Sequence, residues 1–348
     1  MASAKILPLA TRTATRRLKL RPVGRDKLTI ASRRADEGYT YHAADGAQIT
    51  DPVMLKRFAS LAVPPAYEEV YFCPDGQAHL QAVGRDAEGR LQYRYHPDWE
   101  IVREAGKAGR LAALASVLPK IRRAVAQHLS GAEPTRNFAL AATIELVAGS
   151  AIRPGSEEYA KKHGTRGATT LLKSNLRVSG DMITLVFRAK GGKDVRKEFS
   201  SPRLASAVPV LRTIPGPRLF QFRDENGAIR RVTAREVNLF LREIAGGGVS
   251  LKDFRTLCAS AAVLDNLARM VPADSPRKRR KQVLEAVKAA AEELANTPAV
   301  CRRSYVHETV VTAFEKGVLE SFSATLKACR SAARREQFLA QVVATASV

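Results

Sequence analysis

Residues 176–199 read LRVSGDMITLVFRAKGGKDVRKEF, and their reading decides the fold. Leu176-Arg177-Val178, Met182 to Phe187 and Val195 to Phe199 are β-prone runs, separated by Ser179-Gly180-Asp181 and by Lys190-Gly191-Gly192-Lys193-Asp194, both rich in turn residues. The spacing predicts a small three-stranded insert inside a domain that is otherwise mainly α-helical. Upstream, Leu111, Leu114, Leu118, Ile121, Val125 and Leu129 recur at helical spacing over 107–129, where Pro119 is expected to kink or divide the helix. A second helix is expected from Arg136 to Gly149. Downstream the remainder reads as helical. Thr233 is placed to cap one helix that stops at Gly246-Gly247-Gly248, and Ser250 to cap the next. The basic run Pro276-Arg277-Lys278-Arg279-Arg280-Lys281, a DNA-backbone contact or a solvated loop, leads into a helix through Leu294. A helical tail from His307 carries Phe314, Leu319, Phe322 and Leu326.

Residues 28–101 have a different texture. Tyr39 and Tyr41 alternate, Val70-Tyr71-Phe72-Cys73 is a compact β-prone run, and Asp75-Gly76 and Glu88-Gly89 mark turns, with a short helix near Pro52 to Leu61. The fold class is therefore α+β: a basic arm over 1–27, a β-rich domain over 28–105 and a mainly α domain over 106–348. In the last strand Tyr93 and Tyr95 share one face while Gln92, Arg94 and His96 share the other. Such a strand is either a packed aromatic pair or an edge that enters a nucleic-acid groove.

Lys+Arg 57 against Asp+Glu 34 leaves a net charge of +23, and the pI is near 10.3. With 45% hydrophobic residues the chain can bury a core, so the excess belongs to a folded protein that meets a polyanion, nucleic acid ahead of an anionic membrane surface. Cys73, Cys258, Cys301 and Cys329 are widely spaced and form no C-x-x-C pair, so neither a zinc site nor a disulfide framework is suggested, which suits a reducing compartment. No apolar run reaches membrane-spanning length. The first 25 residues are basic and lack acid, as in a transit peptide or a flexible arm that touches DNA.

Residues 296–307, NTPAVCRRSYVH, set Tyr305 in a basic helical context nine positions after Asn296. A tyrosine hydroxyl ionises near pH ~10, so it is a nucleophile at neutral pH only where cations support the phenolate and the group attacked. Candidate cations lie in Ile152-Arg153-Pro154-Gly155, in Phe187-Arg188-Ala189-Lys190-Gly191-Gly192-Lys193 and in Lys252-Asp253-Phe254-Arg255-Thr256. Taken singly, Arg153 and Arg255 could be structural, Lys190 a solvated turn lysine and Asn296 a turn cap. In this order, closed by N-T-P-A-V-x-x-x-Y, they resemble the bacterial, poxvirus-like type IB DNA topoisomerases. Pro64-Pro65-Ala66, His79-Leu80-Gln81-Ala82, Gly84-Arg85-Asp86 and Gln92-Tyr93-Arg94-Tyr95 extend the likeness to about residues 30–310.

The resemblance implies that Tyr305 attacks a phosphodiester and leaves a 3′-phosphotyrosyl enzyme. It implies further that Arg153 and Arg255 grip the phosphoryl oxygens, that Lys190 is the general acid and that Asn296 donates a hydrogen bond. Gln92, Tyr93, Tyr95 and Tyr159 are the implied DNA contacts. No metal, nucleotide or other cofactor is expected, and no membrane. The implied partner is duplex DNA, held by a monomer that closes as a C-shaped clamp in the bacterial cytoplasm, at the nucleoid. Two departures stand out: Asn296 where many relatives have histidine, and Ala189 in place of the glycine usual before the lysine. Rival readings are a site-specific tyrosine recombinase, in which histidine usually stands where Lys252 does, and a non-catalytic basic DNA-binding protein.

Overall fold

Alternating apolar positions over residues 30–95 form an antiparallel sheet with apolar clusters on both faces. A computed structural model describes residues 9–36, 38–320, 336, 338, 339, 341 and 342. The chain divides into two units, Met1–Lys107 and Ala108–Val348.

The first unit begins with helix α1 (Leu9–Arg17) and continues through β1 (Ile30–Arg34), β2 (Tyr39–His42), α2 (Pro52–Ser60), β3 (Glu68–Phe72), β4 (Leu80–Arg85) and β5 (Leu91–Tyr95). The strand order is β2-β1-β3-β4-β5, which leaves β5 at an edge. Ile30, Phe58, Val70, Phe72 and Ala82 pack on one face, beneath α2, and Leu28, Cys73, Ala78, Leu80 and Val83 on the other. Asp51 caps α2 by accepting from the Val53 amide at 2.9 Å. The stretch expected as a basic arm is part of this fold from Leu9 on. Leu20 is buried, and the Arg21 backbone pairs with the 77–79 segment, its N–H donating to Gln77 O and its carbonyl accepting from His79 N, both at 2.8 Å. An isolated apolar residue between charges gave no sign of this pairing.

The second unit is built around α4 (Arg136–Ser150), capped by Thr135 and buried along nearly its whole length from Phe138 to Val147. Before it, α3 (Trp99–Leu129) is one continuous helix that starts eight residues ahead of the expected 107 and runs through Pro119 unbroken. Proline removes one backbone bond and costs roughly 3 kcal/mol inside a helix. Here Pro119 is on the exposed side, where water can satisfy the freed carbonyl, while Leu111, Leu114, Leu118, Ile121 and Val125 keep one buried stripe across it.

After α5 (Glu157–His163) come β6 (Leu176–Ser179), β7 (Met182–Arg188) and β8 (Asp194–Ser200), paired antiparallel in that order. The remainder is not wholly helical. Between α6 (Pro202–Arg212) and α7 (Ala234–Ala245) lies a second hairpin, β9 (Gln221–Arg223) with β10 (Ile229–Arg231). Its strands are three residues each, too short for an alternation signal. Then follow α8 (Leu251–Leu267), α9 (Pro276–Glu293), α10 (Pro298–Ser304) and α11 (Glu308–Glu315). A capping box of Thr233 and Glu236 starts α7, and the basic run 276–281 is the first turn of α9 rather than a loop. Phe314 and Leu319 are buried; Phe322 and Leu326 fall outside the described residues. Among the described residues no helix is long and apolar enough to cross a membrane.

Candidate active site

Two helices of the second unit end in the same way, and each end aims a polar side chain. Helix α4 closes on Ala151 in the left-handed conformation (φ 52°, ψ 24°), and Arg153 follows two residues later. Helix α9 closes on Ala295 (φ 50°), with the Ala295 amide donating to Glu292 O at 3.0 Å and the Asn296 amide to Ala291 O at 2.8 Å, and Asn296 follows immediately. The turn after Arg153 is tied to residues 167–169, since the Ala168 amide donates to Arg153 O and the Thr169 amide to Pro154 O, both at 2.8 Å. A side chain at Gly167 would meet the Gly155 backbone at 2.6 Å, so this approach requires glycine.

Arg255, on α8, ties the two ends together. It is 2% exposed. Its Nη1 donates to Ala151 O and its Nη2 to Leu294 O at 3.1 Å, the carbonyls on either side of the site. The guanidinium carbon stands 4.8 Å from the ring centroid of Tyr305, which is itself buried. Two of the five donors of Arg255 are thus spent on backbone, which leaves three for the grip on phosphoryl oxygens that the resemblance implies. The Nε remains buried without a hydrogen-bond partner, and so does Asn296 Nδ2. Asn296 Oδ1 accepts from Arg153 Nη2, which leaves only the amide's donor side uncommitted.

Tyr305 is the residue after α10 and leaves the helix at φ −129°. Its carbonyl accepts from Ser260 Oγ at 3.1 Å, and the same hydroxyl accepts from the His307 amide at 3.1 Å, so α8 holds the tyrosine from both sides. Burial pushes its phenol up, but Arg255, then Arg153 and Lys252, outweigh burial and hold it below the ordinary 10.0. Lys252 carried no role in the sequence reading beyond separating this chain from recombinases. It lies on the exposed side of α8, one turn before Arg255, and i, i+3 spacing was the available signal.

Lys190 is exposed at the β7–β8 turn, where Gly191 and Gly192 take positive φ. Its ammonium is 5.7 Å from the Tyr159 ring centroid, and Arg218 anchors Tyr159's helix by pairing with Glu157 at 2.7 Å. Ala189 is not among the positive-φ positions, so alanine is accommodated there without backbone strain. Arg153, Lys190, Lys197 and Arg255 line one cleft. The structure thus gathers Arg153, Lys190, Arg255, Asn296 and Tyr305 in the second unit, with Tyr159 against Lys190.

Gln92, Tyr93 and Tyr95 lie on edge strand β5 of the first unit. Tyr93 and Tyr95 share a half-exposed face with ring centroids 6.3 Å apart, and Tyr95 stacks on Trp99. Gln92 projects to the other face and its Nε2 donates to Asp86 Oδ2 at 2.9 Å. Against desolvation, which works to raise it, the Arg90 backbone and side chain, Gln92 and the Glu88 amide bring the Asp86 carboxyl down to about 2. Among the described residues no group of three or more His, Cys, Asp or Glu side chains could hold a metal ion.

The site sets a buried phenol beside the Arg255 guanidinium and leaves two buried donors, Arg255 Nε and Asn296 Nδ2, without partners, an arrangement that suits a class of protein binding an anionic group next to a tyrosine. Residues 99–332 match the family model of the eukaryotic DNA topoisomerase I catalytic core, and residues 38–86 that of the bacterial DNA topoisomerase IB N-terminal domain. Among similar proteins, the DNA topoisomerase 1B of Acanthamoeba polyphaga mimivirus is 28% identical over 284 residues, covering 80% of this chain and 84% of that protein. The DNA topoisomerase 1B of Vaccinia virus (strain Copenhagen) and the DNA topoisomerase I of Monkeypox virus are each 26% identical over 250 residues, 70% of this chain and 75% of theirs. The chain belongs to the type IB DNA topoisomerase family.

Proposed function

We propose that this topoisomerase relaxes duplex DNA through Tyr305. Tyr305 gives up its proton to water, the phenolate oxygen attacks the phosphorus of one strand and the bond to the 5′ oxygen breaks, leaving a 3′-phosphotyrosyl enzyme and, once the 5′ oxygen takes a proton, a 5′-hydroxyl end. Lys190 supplies that proton, a step worth roughly 10²- to 10⁴-fold. Arg153, the free donors of Arg255 and Asn296 Nδ2 bind the non-bridging oxygens as negative charge develops. Lys252 adds to the charge that holds the phenolate. The observation that carries this reading is the pair of buried donors without partners, Arg255 Nε and Asn296 Nδ2, beside a tyrosine whose ionisation is favoured.

An ester is exchanged for an ester, so resealing is the reverse step and needs no ATP. Arg153, Lys190, Lys252 and Arg255 supply the charge that a metal would bring, and the reaction is metal-independent in this reading. Gln92, Tyr93 and Tyr95 of the β-rich domain and Tyr159 of the catalytic domain contact the duplex, which a monomer encloses as a C-shaped clamp. The basic residues between Leu9 and Lys27 add charge to the β-rich unit. The enzyme acts on the bacterial nucleoid in the cytoplasm. For Gln92 to read a base edge it must first release Asp86.

The test is relaxation of negatively supercoiled plasmid in EDTA without nucleotide. Wild-type protein is expected to relax it, and Tyr305→Phe to bind DNA while leaving supercoils and forming no covalent adduct on a nicked suicide duplex. A Tyr305→Phe protein that relaxes at the normal rate ends the assignment. A clamp closed by basic surfaces also demands steep salt dependence, because each phosphate contact releases counterions; activity indifferent to ionic strength refutes the clamp.

A further inference from the structure

Strand β8 puts a lysine where its pattern calls for an apolar residue. Val195, Lys197 and Phe199 alternate toward the interior, and the cross-strand neighbour of Lys197 is the fully buried Leu185. The ammonium reaches the last residue of α4, where its Nζ donates to Ser150 O at 2.5 Å. The next carbonyl, Ala151 O, is the one held by Arg255. Two successive carbonyls at the end of α4 are therefore bound by two cations, two and three residues ahead of Arg153. Helix C-terminal carbonyls carry partial negative charge and lack intrahelical partners, so a lysine there both satisfies a donor-starved oxygen and complements the helix dipole.

The same side chain connects two carriers of the proposed site residues. It springs from the hairpin whose turn bears Lys190, and it ends on the turn that aims Arg153. Nearby, the Phe199 ring packs so closely on α4 that a side chain at Gly149 would lie 2.5 Å from it. Burial works to lower the Lys197 ammonium, opposed by Cys258 and Glu293, with the Arg255 charge adding to the lowering.

We propose that Lys197 is a positioning residue for strand cleavage: by holding Ser150 O it fixes the left-handed exit of α4 and so the place of Arg153 beside the phosphate. It neither donates the proton nor touches the reacting atoms. This rests on the reading of Arg153 as a phosphate ligand.

The experiment measures single-turnover cleavage of a suicide duplex by full-length Lys197→Met, Lys197→Arg, Arg153→Ala and the Lys197→Met/Arg153→Ala double variant. The phosphodiester is tested alongside a substrate with sulfur at the 5′ bridging position, whose thiolate leaves without an acid. A displacement of about 1 Å at a catalytic group can cost ~10²-fold, so Lys197→Met is expected to cleave roughly 10- to 100-fold more slowly on both substrates. Lys197→Arg, which keeps cation and donor, is expected to recover most of that loss. If Lys197 acts through Arg153, the double variant matches Arg153→Ala within about twofold, because effects transmitted through one partner do not add. Additive losses overturn the proposal, as does a Lys197→Met defect erased by the thiolate leaving group, which would make Lys197 the acid. Lys197→Arg as slow as Lys197→Met also overturns it. Wild-type cleavage by Arg153→Ala would instead refute the phosphate role of Arg153.

Discussion

Replacing Arg255 by lysine keeps the charge and removes the fork. Arg255 donates to Ala151 O and Leu294 O, and both of these residues are 1% exposed, so water cannot replace a lost donor there. A single ammonium can reach one of these carbonyls but cannot span both and also offer the Nε donor. Leaving one buried carbonyl unpaired costs about 1–3 kcal/mol. For a unit of this size each kcal/mol lowers the melting temperature by about 2–4 °C, so Arg255→Lys is expected to melt roughly 2–12 °C lower by calorimetry. Chemistry suffers more. Losing one preorganised donor to a developing oxyanion typically costs about 10²–10³ in rate, and single-turnover cleavage should fall by that factor. Melting within about 1 °C of wild type together with cleavage within about twofold would refute the claim that one guanidinium both joins the helix ends and serves the phosphate.

Cleavage should rise with pH and level off below pH 10.0, since Arg255, Arg153 and Lys252 overcome burial to favour the phenolate of Tyr305; Arg153→Ala should move the inflection upward, and an unmoved inflection counts against the pairing. A phenol depressed in the folded state contributes its stability in full above its unfolded value and loses it as pH falls through the folded one, so the melting difference between wild type and Tyr305→Phe should widen as pH rises toward 10.0, and a difference independent of pH refutes the shift. Gly149→Ala drives a methyl to 2.5 Å from Phe199, and overpacking of this kind costs about 1–3 kcal/mol, which calorimetry should register alongside slower cleavage; an unchanged melt would mean the hairpin yields freely. Burial and then Glu293 raise Cys258 to about 12, and burial raises Cys301 to about 11, so iodoacetamide at neutral pH should leave both unlabelled in native protein by peptide mass mapping; rapid labelling refutes it.

Where residue chemistry and element coincide, the sequence was readable. The turns at Ser179-Gly180-Asp181 and Lys190 to Asp194 predicted β6, β7 and β8, and Thr233 marked the start of α7. What escaped was decided by tertiary contact. Pro119 announces a break, and only the stripe buried on both sides of it keeps α3 whole. The hairpin of β9 and β10 has three-residue strands, whose pairing depends on contacts rather than on pattern. Lys197 reads as one more cation in a basic chain until its cross-strand neighbour Leu185 is found to be buried.

The site itself hides behind two alanines. Left-handed backbone costs a non-glycine residue roughly 1–2 kcal/mol, and glycine at a helix end is the usual mark of such a turn. At Ala151 and Ala295 that mark is missing, so nothing in the local sequence says that α4 and α9 turn back toward a common point. The strain is sustained because Arg255 binds a carbonyl at each turn, and its own side chain comes from a third helix, more than a hundred residues after Ala151 and about forty before Leu294. The convergence of Arg153 and Asn296 therefore depends on side chains from outside the segments that carry them, Arg255 at both turns and Lys197 at the first. A pocket assembled this way can be read in a sequence only through the order of its motifs, while its geometry belongs to the packed helices.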